Sequence, residues 1–158
     1  MEEVIEVIRD FIPKIEKKKI KLAIENHDRL RAEEFEYIIK NTSTTWVGIY
    51  LDSLNSFGAG ESYREVVSIL APFTLNLHIK DFTIKRASHK MGFIVEGCPA
   101  GAGMLDIRWK LKKLDSYKKC SSATLELWTP PAKKLEETLQ KERIWAAESI
   151  NYLKALFE

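Results

Sequence analysis

Apolar and polar positions along the chain change period several times, and each change marks an element. Val4, Ile8, Phe11 and Ile15, with Ile5 and Ile12 beside them, recur at helical spacing, so residues 2–18 read as an amphipathic helix kinked by Pro13. Ile20 to Glu25 reads as a short strand. Ala32 to Lys40 is a helix with Phe35, Ile38 and Ile39 on its apolar side, and Trp46 to Leu51 is a second strand rich in aromatic and β-branched residues. Ser62 to Leu70 is a helix stopped by Pro72, and a third strand follows from Phe73 to His78. Gly92, Gly97, Pro99, Gly101 and Gly103 make residues 79–105 read as a long loop. Asp106 then suits the N-cap of a helix running to Leu114. A fourth strand spans Ala123 to Trp128. After Pro130-Pro131 a long C-terminal helix runs from Ala132 to Phe157, with Leu135, Leu139, Ala146, Ile150 and Leu153 on one stripe.

The order αβαβαβαβα predicts an α/β fold of parallel βα units with right-handed crossovers. No stretch rich in Ser, Gly or Pro divides the chain, so residues 1–158 are expected to form a single domain. A complete eight-stranded βα barrel takes about 250 residues, and this chain has 158. With 45% hydrophobic and 30% charged residues it is neither disordered nor fibrous. No apolar run approaches the roughly 20 residues of a membrane span, and an acidic start at Met1-Glu2-Glu3 does not suit a signal peptide. Cys98 and Cys120 make neither a disulfide framework nor a close metal-ligand pair, which points to thiols in a reducing cytoplasm. A net charge of +2 gives no argument for nucleic acid.

The chemistry gathers at the strand ends. Each expected strand finishes on a residue of metal-ligand type: Glu25 in Leu22-Ala-Ile-Glu-Asn-His27, Asp52 in Gly48-Ile-Tyr-Leu-Asp52, His78 in Leu75-Asn-Leu-His78, and Glu126 in Thr124-Leu-Glu-Leu-Trp128. Because side chains alternate, Ala23, Tyr50, Asn76 and Thr124 share the faces of these four residues, while Ile24, Leu51, Leu77 and Leu125 point the other way toward helices. Ligands bind at the carboxyl ends of parallel strands. Three carboxylates and an imidazole converging there would repel one another without a cation between them, and an O/O/O/N set suits Mn²⁺, Mg²⁺ or Co²⁺ better than Zn²⁺.

Around this set, His27 either contacts substrate or caps a turn, and Asn55 can reach a sugar hydroxyl. Lys80-Asp81 either orients the imidazole or forms a solvated ion pair, and Lys80 belongs to a basic loop with Lys85, Arg86, His89 and Lys90 that suits a phosphate or plain solvation. Lys110, Lys112, Lys113, Lys118 and Lys119 read as a solvated helix face. The four tryptophans are too scattered for a base-stacking platform.

At these residues the sequence resembles the sugar-phosphate isomerase/epimerase family, the xylose-isomerase-like TIM barrels that also include endonuclease-IV-type proteins. The matching pieces are Ala23-Ile-Glu-Asn-His27, Leu51-Asp-Ser-Leu-Asn-Ser56, His78-Ile-Lys-Asp81, Gly101-Ala-Gly-Met-Leu-Asp106 and Leu125-Glu-Leu127. In order they correspond to strands five to eight of such a barrel, a C-terminal half. The resemblance implies a metal held by Glu25, Asp52, His78 and Glu126, with Glu25 and Glu126 doubling as the acid/base pair for proton transfer next to a carbonyl. It implies carbohydrate metabolism, with a sugar or sugar phosphate as substrate; His27, Asn55 and Lys80, from their positions around the strand ends, are the expected substrate contacts. Ala102 stands where the family usually has an acidic residue, and Asn55 and Ile84 stand where some epimerases carry histidine and arginine, so ketohexose epimerisation is not specifically supported.

Two rivals remain open. One is a metal-dependent DNA repair nuclease, which wants more histidines than the three present; the other is an inactive copy serving only in assembly. Four parallel strands leave two sheet edges unpaired, which predicts a homodimer or pairing with a first-half chain.

Overall fold

The computed structural model describes residues 1–157. Its elements, in chain order, are α1 (Glu2–Lys18), β1 (Leu22–Glu25), α2 (Ala32–Thr42), β2 (Val47–Leu51), α3 (Tyr63–Leu70), β3 (Thr74–Ile79), β4 (Asp81–Arg86), β5 (Phe93–Cys98), α4 (Ile107–Asp115), β6 (Ser122–Leu125) and α5 (Leu135–Phe157). The chain divides into two compact units: residues 1–78 with 110–124, and residues 79–109 with those from 125 onward.

In the first unit the apolar residues of β2 form the centre. Val47, Ile49 and Leu51 are buried with Phe35, Ile38 and Ile39 of α2 and Val66, Val67 and Leu70 of α3. Glu2 and Glu3 at the start of α1 and Lys17 and Lys18 at its end complement the helix dipole, and the helix runs on through Pro13. Glu61, itself buried, accepts the Ala32 N–H at the start of α2 (3.0 Å), and the Ser62 hydroxyl accepts the Glu65 N–H at the start of α3 (3.3 Å).

The sheet order is β1-β2-β3-β6. β1 and β2 are parallel, with Leu22 level with Val47 and Glu25 level with Tyr50. Ser121 N–H donates to Leu75 O (3.4 Å) and Glu126 N–H to Ile79 O (2.9 Å); both partners ascend together, so β6 runs parallel to β3. The expected parallel sheet of βα units is therefore present. Between β2 and β3 the ladder contains a bulge: Ile49 is level with Thr74, but Tyr50 is level with Asn76 and Leu51 with Leu77. The extra residue crowds Gly48, where an added Cβ would lie 2.6 Å from Leu75 Cγ and 2.6 Å from Phe73 O.

The second unit corrects the reading of residues 79–105 as a loop. β4 and β5 form an antiparallel hairpin from the Asp81–Cys98 pair to the Arg86–Phe93 pair. Phe82-Thr-Ile and Phe93-Ile-Val carry the β-branched and aromatic signal; Gly92 falls at the hairpin's turn, Gly97 lies within β5 opposite Phe82, and Gly101 and Gly103 lie beyond the base. Lys90 occupies the left-handed region (φ 63°) in the turn, and Ala87 N–H closes it onto Gly92 O (3.0 Å). Past the hairpin, the buried Asp81 carboxylate accepts the N–H groups of Phe82 (2.8 Å), Gly101 (2.9 Å), Gly103 (3.0 Å) and Leu105 (2.9 Å). Gly103 permits this wrap, since a Cβ there would collide with the Asp81 carboxylate and Phe82 O. The Asp106 cap is as expected, with its carboxylate accepting the Trp109 N–H (3.0 Å).

The stripe expected on α5 is only partly buried. Leu153 is buried, as is Ser149, whose hydroxyl accepts the Ala100 N–H (2.9 Å), whereas Leu135, Leu139 and Ile150 are exposed. Among the described residues, no helix is long and apolar enough to cross a membrane.

Candidate functional site

Glu25 is the last residue of β1, Asp52 follows β2 directly, and His78 lies one residue before the end of β3. Asn26, fully buried, fixes the first two relative to each other: its Nδ2 donates to Asp52 O (2.6 Å) and its Oδ1 accepts Asp52 N–H (2.8 Å). The side chain thereby adds a rung to the sheet beyond the last residue of β1.

Asp52 is fully buried and divides its carboxylate between two tasks. Oδ1 accepts the N–H groups of Leu54 (2.7 Å) and Asn55 (2.9 Å), and Oδ2 lies 3.4 Å from His78 Nδ1. Glu25 Oε1 lies 3.3 Å from the same ring nitrogen and accepts a hydrogen bond from Asn55 Nδ2 (3.0 Å). The imidazole is held from one side by Tyr50, whose ring centroid is 3.9 Å away, and Tyr50 OH donates to Thr124 Oγ1 (2.5 Å). One ligand atom from each of Glu25, Asp52 and His78 lies within 4.8 Å of the others. Exposure rises from Asp52 (0%) through His78 (12%) to Glu25 (40%), so the group is anchored at its base and open to solvent at one end.

This donor set fits a divalent cation. Two carboxylate oxygens and a ring nitrogen face one spot, and backbone N–H groups and Asn55 already fix the carboxylates, so an ion would meet oriented ligands.

Lys110 is a correction. Grouped with the lysines of a solvated face, it is instead fully buried; its ammonium donates to Ser53 Oγ (2.9 Å) and His78 O (3.1 Å). The signal was available, because Ile107, Lys110 and Leu114 fall at i, i+3 and i+7 and all three are buried. Asn26 lies inside the Ala23-Ile-Glu-Asn-His27 motif without a ligand-type signal of its own, and a buried amide completing a strand ladder has no periodic signature.

The other expected site residues are distributed as follows. His27 is exposed and pairs with its neighbour, Nδ1 lying 2.5 Å from Asp28 Oδ1. That hydrogen bond holds the Asp28 carboxyl below its ordinary range. Asn55 serves Glu25 directly, as described. In the second unit, Glu126 donates its N–H to Ile79 O, the carbonyl of the residue after His78. Glu126 Oε1 accepts a hydrogen bond from Lys80 Nζ (3.0 Å), and that ammonium, 2% exposed, also lies 5.1 Å from the centroid of the Trp128 ring. Asp81 is occupied with the Gly101–Leu105 segment, and Ala102 is exposed.

Comparison with known proteins gives consistent results. A 3-oxo-isoapionate decarboxylase from Pectobacterium atrosepticum is 30% identical over 152 residues, covering 96% of this chain and 55% of that protein. The fold matches a xylose isomerase domain protein from Planctomyces limnophilus at a TM-score of 0.74 and 16% identity, covering 98% of this chain and 53% of that one. It also matches a xylose isomerase-like TIM barrel protein from Mycobacterium smegmatis in complex with magnesium (TM-score 0.67, 16% identity, 92% and 49% covered). The IOLI protein with a bound zinc atom matches at 0.61 with 21% identity, covering 94% of this chain and 55% of that one. The chain thus spans about half the length of the relatives it matches. The model of the xylose isomerase-like TIM barrel family matches residues 1–156, and the chain belongs to that family.

Proposed function

We propose that this chain carries the metal-binding half of an enzyme that moves a proton next to the carbonyl of a sugar or sugar phosphate, as an isomerase or epimerase. The observation that carries the reading is the convergence of Glu25, Asp52 and His78, each oriented by a neighbour from the protein itself. Glu126 is proposed as the fourth ligand, because its N–H is bonded to the residue that follows His78. A divalent ion held there would stabilise the negative charge that develops on oxygen beside the reacting carbon, with Mn²⁺, Mg²⁺ or Co²⁺ suiting the mostly oxygen donors better than Zn²⁺.

The chain's own residues would do the rest. Glu25, the most exposed of the first three, would take or return a proton at the carbon, with Glu126 as its opposite number. Lys80 beside Glu126 would position that carboxylate and meet a substrate oxygen, and His27 would contact substrate from the exposed rim.

The test is solvent deuterium incorporation next to the carbonyl, followed by NMR for a panel of ketoses, aldoses and their phosphates with Mn²⁺ or with chelator. Metal-dependent exchange that falls about 10²-fold in Glu126→Gln supports the reading. No exchange with any member of the panel would sink it.

A second reading comes from the relative named as a decarboxylase. Loss of CO₂ from a 3-oxo acid leaves the same kind of charge beside a carbonyl, and Lys80 is a cation suited to a substrate carboxylate. Metal-dependent CO₂ release from 3-oxo sugar acids without deuterium exchange in ketoses would favour it. The nuclease reading is weaker: of the three histidines only His78 belongs to the ligand group, while His27 and His89 are exposed.

We further propose that the chain works as one domain, since the crossings between its two units fall inside β3, α4 and β6. Its edge strands β1 and β6 would be paired by a second copy or by the other half of the barrel. Two free thiols are in keeping with a cytoplasmic setting.

A further inference from the structure

The most unusual buried group in the first unit is Lys110 of α4. Lysine is almost never fully buried unless its charge is compensated. Here a 0% exposed side chain sends its ammonium to Ser53 Oγ (2.9 Å) and His78 O (3.1 Å). Those two acceptors are not arbitrary. Ser53 follows Asp52 at the end of β2, and His78 O is the carbonyl of a proposed ligand near the end of β3. One ammonium therefore joins the two strand ends from behind, on backbone and hydroxyl atoms that no substrate or ion needs.

We propose that Lys110 is a positioning residue for the metal centre, fixing the spacing of Asp52 and His78 and setting a positive charge behind the carboxylates. The proposal rests on the metal-binding reading given above. Two parts of its geometry support a role beyond packing. An apolar residue of similar length would fill the same space and avoid burying a charge, so simple packing gives no reason for a lysine. The hydrogen-bond partners also flank two different ligands, which is how outer groups orient a metal site.

Titration of the full chain with Co²⁺, followed by calorimetry and by the visible Co²⁺ spectrum, tests this. Lys110→Met should keep the far-UV circular dichroism of the wild type, weaken Co²⁺ binding by about 10- to 100-fold and change the visible bands. Lys110→Arg, which keeps the charge but changes donor geometry, should recover part of the affinity. If Lys110→Met fails to fold, Ser53→Ala decides the matter: it removes one acceptor while keeping the lysine and its bond to His78 O, and should weaken Co²⁺ binding several-fold. Wild-type affinity and spectrum in folded Lys110→Met, or in Ser53→Ala where Met does not fold, overturn the proposal while leaving the metal reading intact. Failure of the wild-type chain to bind Co²⁺ overturns both, and is recognised because it appears before any substitution is made.

Discussion

Replacing Asp81 with asparagine changes one atom and should cost the second unit much of its stability. The Asp81 carboxylate accepts four backbone N–H groups, Oδ1 those of Phe82 and Leu105 and Oδ2 those of Gly101 and Gly103, all between 2.8 and 3.0 Å. Asparagine keeps one oxygen for one pair and turns an NH₂ toward the other, so two donors face a donor whichever way the amide is set. Hydrogen bonds to a charged group contribute about 1.5–3 kcal/mol each, so losing two costs about 3–6 kcal/mol. That is a large fraction of the 5–15 kcal/mol or so that holds a typical domain together. With a urea m-value near 2 kcal/mol/M, the unfolding midpoint should fall by about 2 M, and Asp81→Ala should lose at least as much. A shift below about 0.5 M for Asp81→Asn would show that the Gly101–Leu105 segment does not depend on the carboxylate.

Other outcomes follow from features already described. Gly48→Ala should lower the melting temperature through an overpacking cost of about 1–3 kcal/mol, because the new methyl meets Leu75 and Phe73 O at 2.6 Å; an unchanged melt would refute the crowding. Burial, reinforced by the negative charge of Asp81, pushes the Cys98 thiol up to about 11. In a Cys120→Ser background, iodoacetamide should therefore label the folded chain at pH 8 about 100-fold more slowly than free cysteine, with the rate climbing as pH rises toward 11; equal rates would refute this. A divalent ion at 100 times its dissociation constant should add about 2.7 kcal/mol of stability that chelator removes, measured by thermal melts. No chelator-sensitive shift would argue against the site.

What the sequence shows and hides follows physical lines. β1, β2, β3 and β6 were legible because each is a short apolar run ending on a polar ligand-type residue, and Glu25, Asp52 and His78 share one face by simple alternation. The β4–β5 hairpin was not, because five Gly and Pro residues between 92 and 103 outweighed the β-branched pairs that make its ladder. Lys110 was hidden by composition: among five nearby lysines, only helical phase sets it apart. The tasks of Asp81 and Asn26 are side-chain bonds to distant backbone, and no local pattern encodes those.

The bulge facing β2 has a consequence for how such a site can change. Continued without it from the Ile49–Thr74 pair, the ladder would set Leu77 beside Asp52 and carry the imidazole one step, about 3.3 Å, too far along. By absorbing one residue, the bulge lets the two ends of β3 keep separate time. The lower end is tied to its preceding helix, where the Thr74 hydroxyl donates to Leu70 O (2.9 Å), and the upper end is set by the ligands. Losing one residue near Leu75 would straighten the strand yet leave His78 in step with Asp52. Losing Leu77 instead would bring His78 level with Leu51 and turn the ring away from its partners. Tolerance to deletion should therefore change abruptly within three positions of the same short strand.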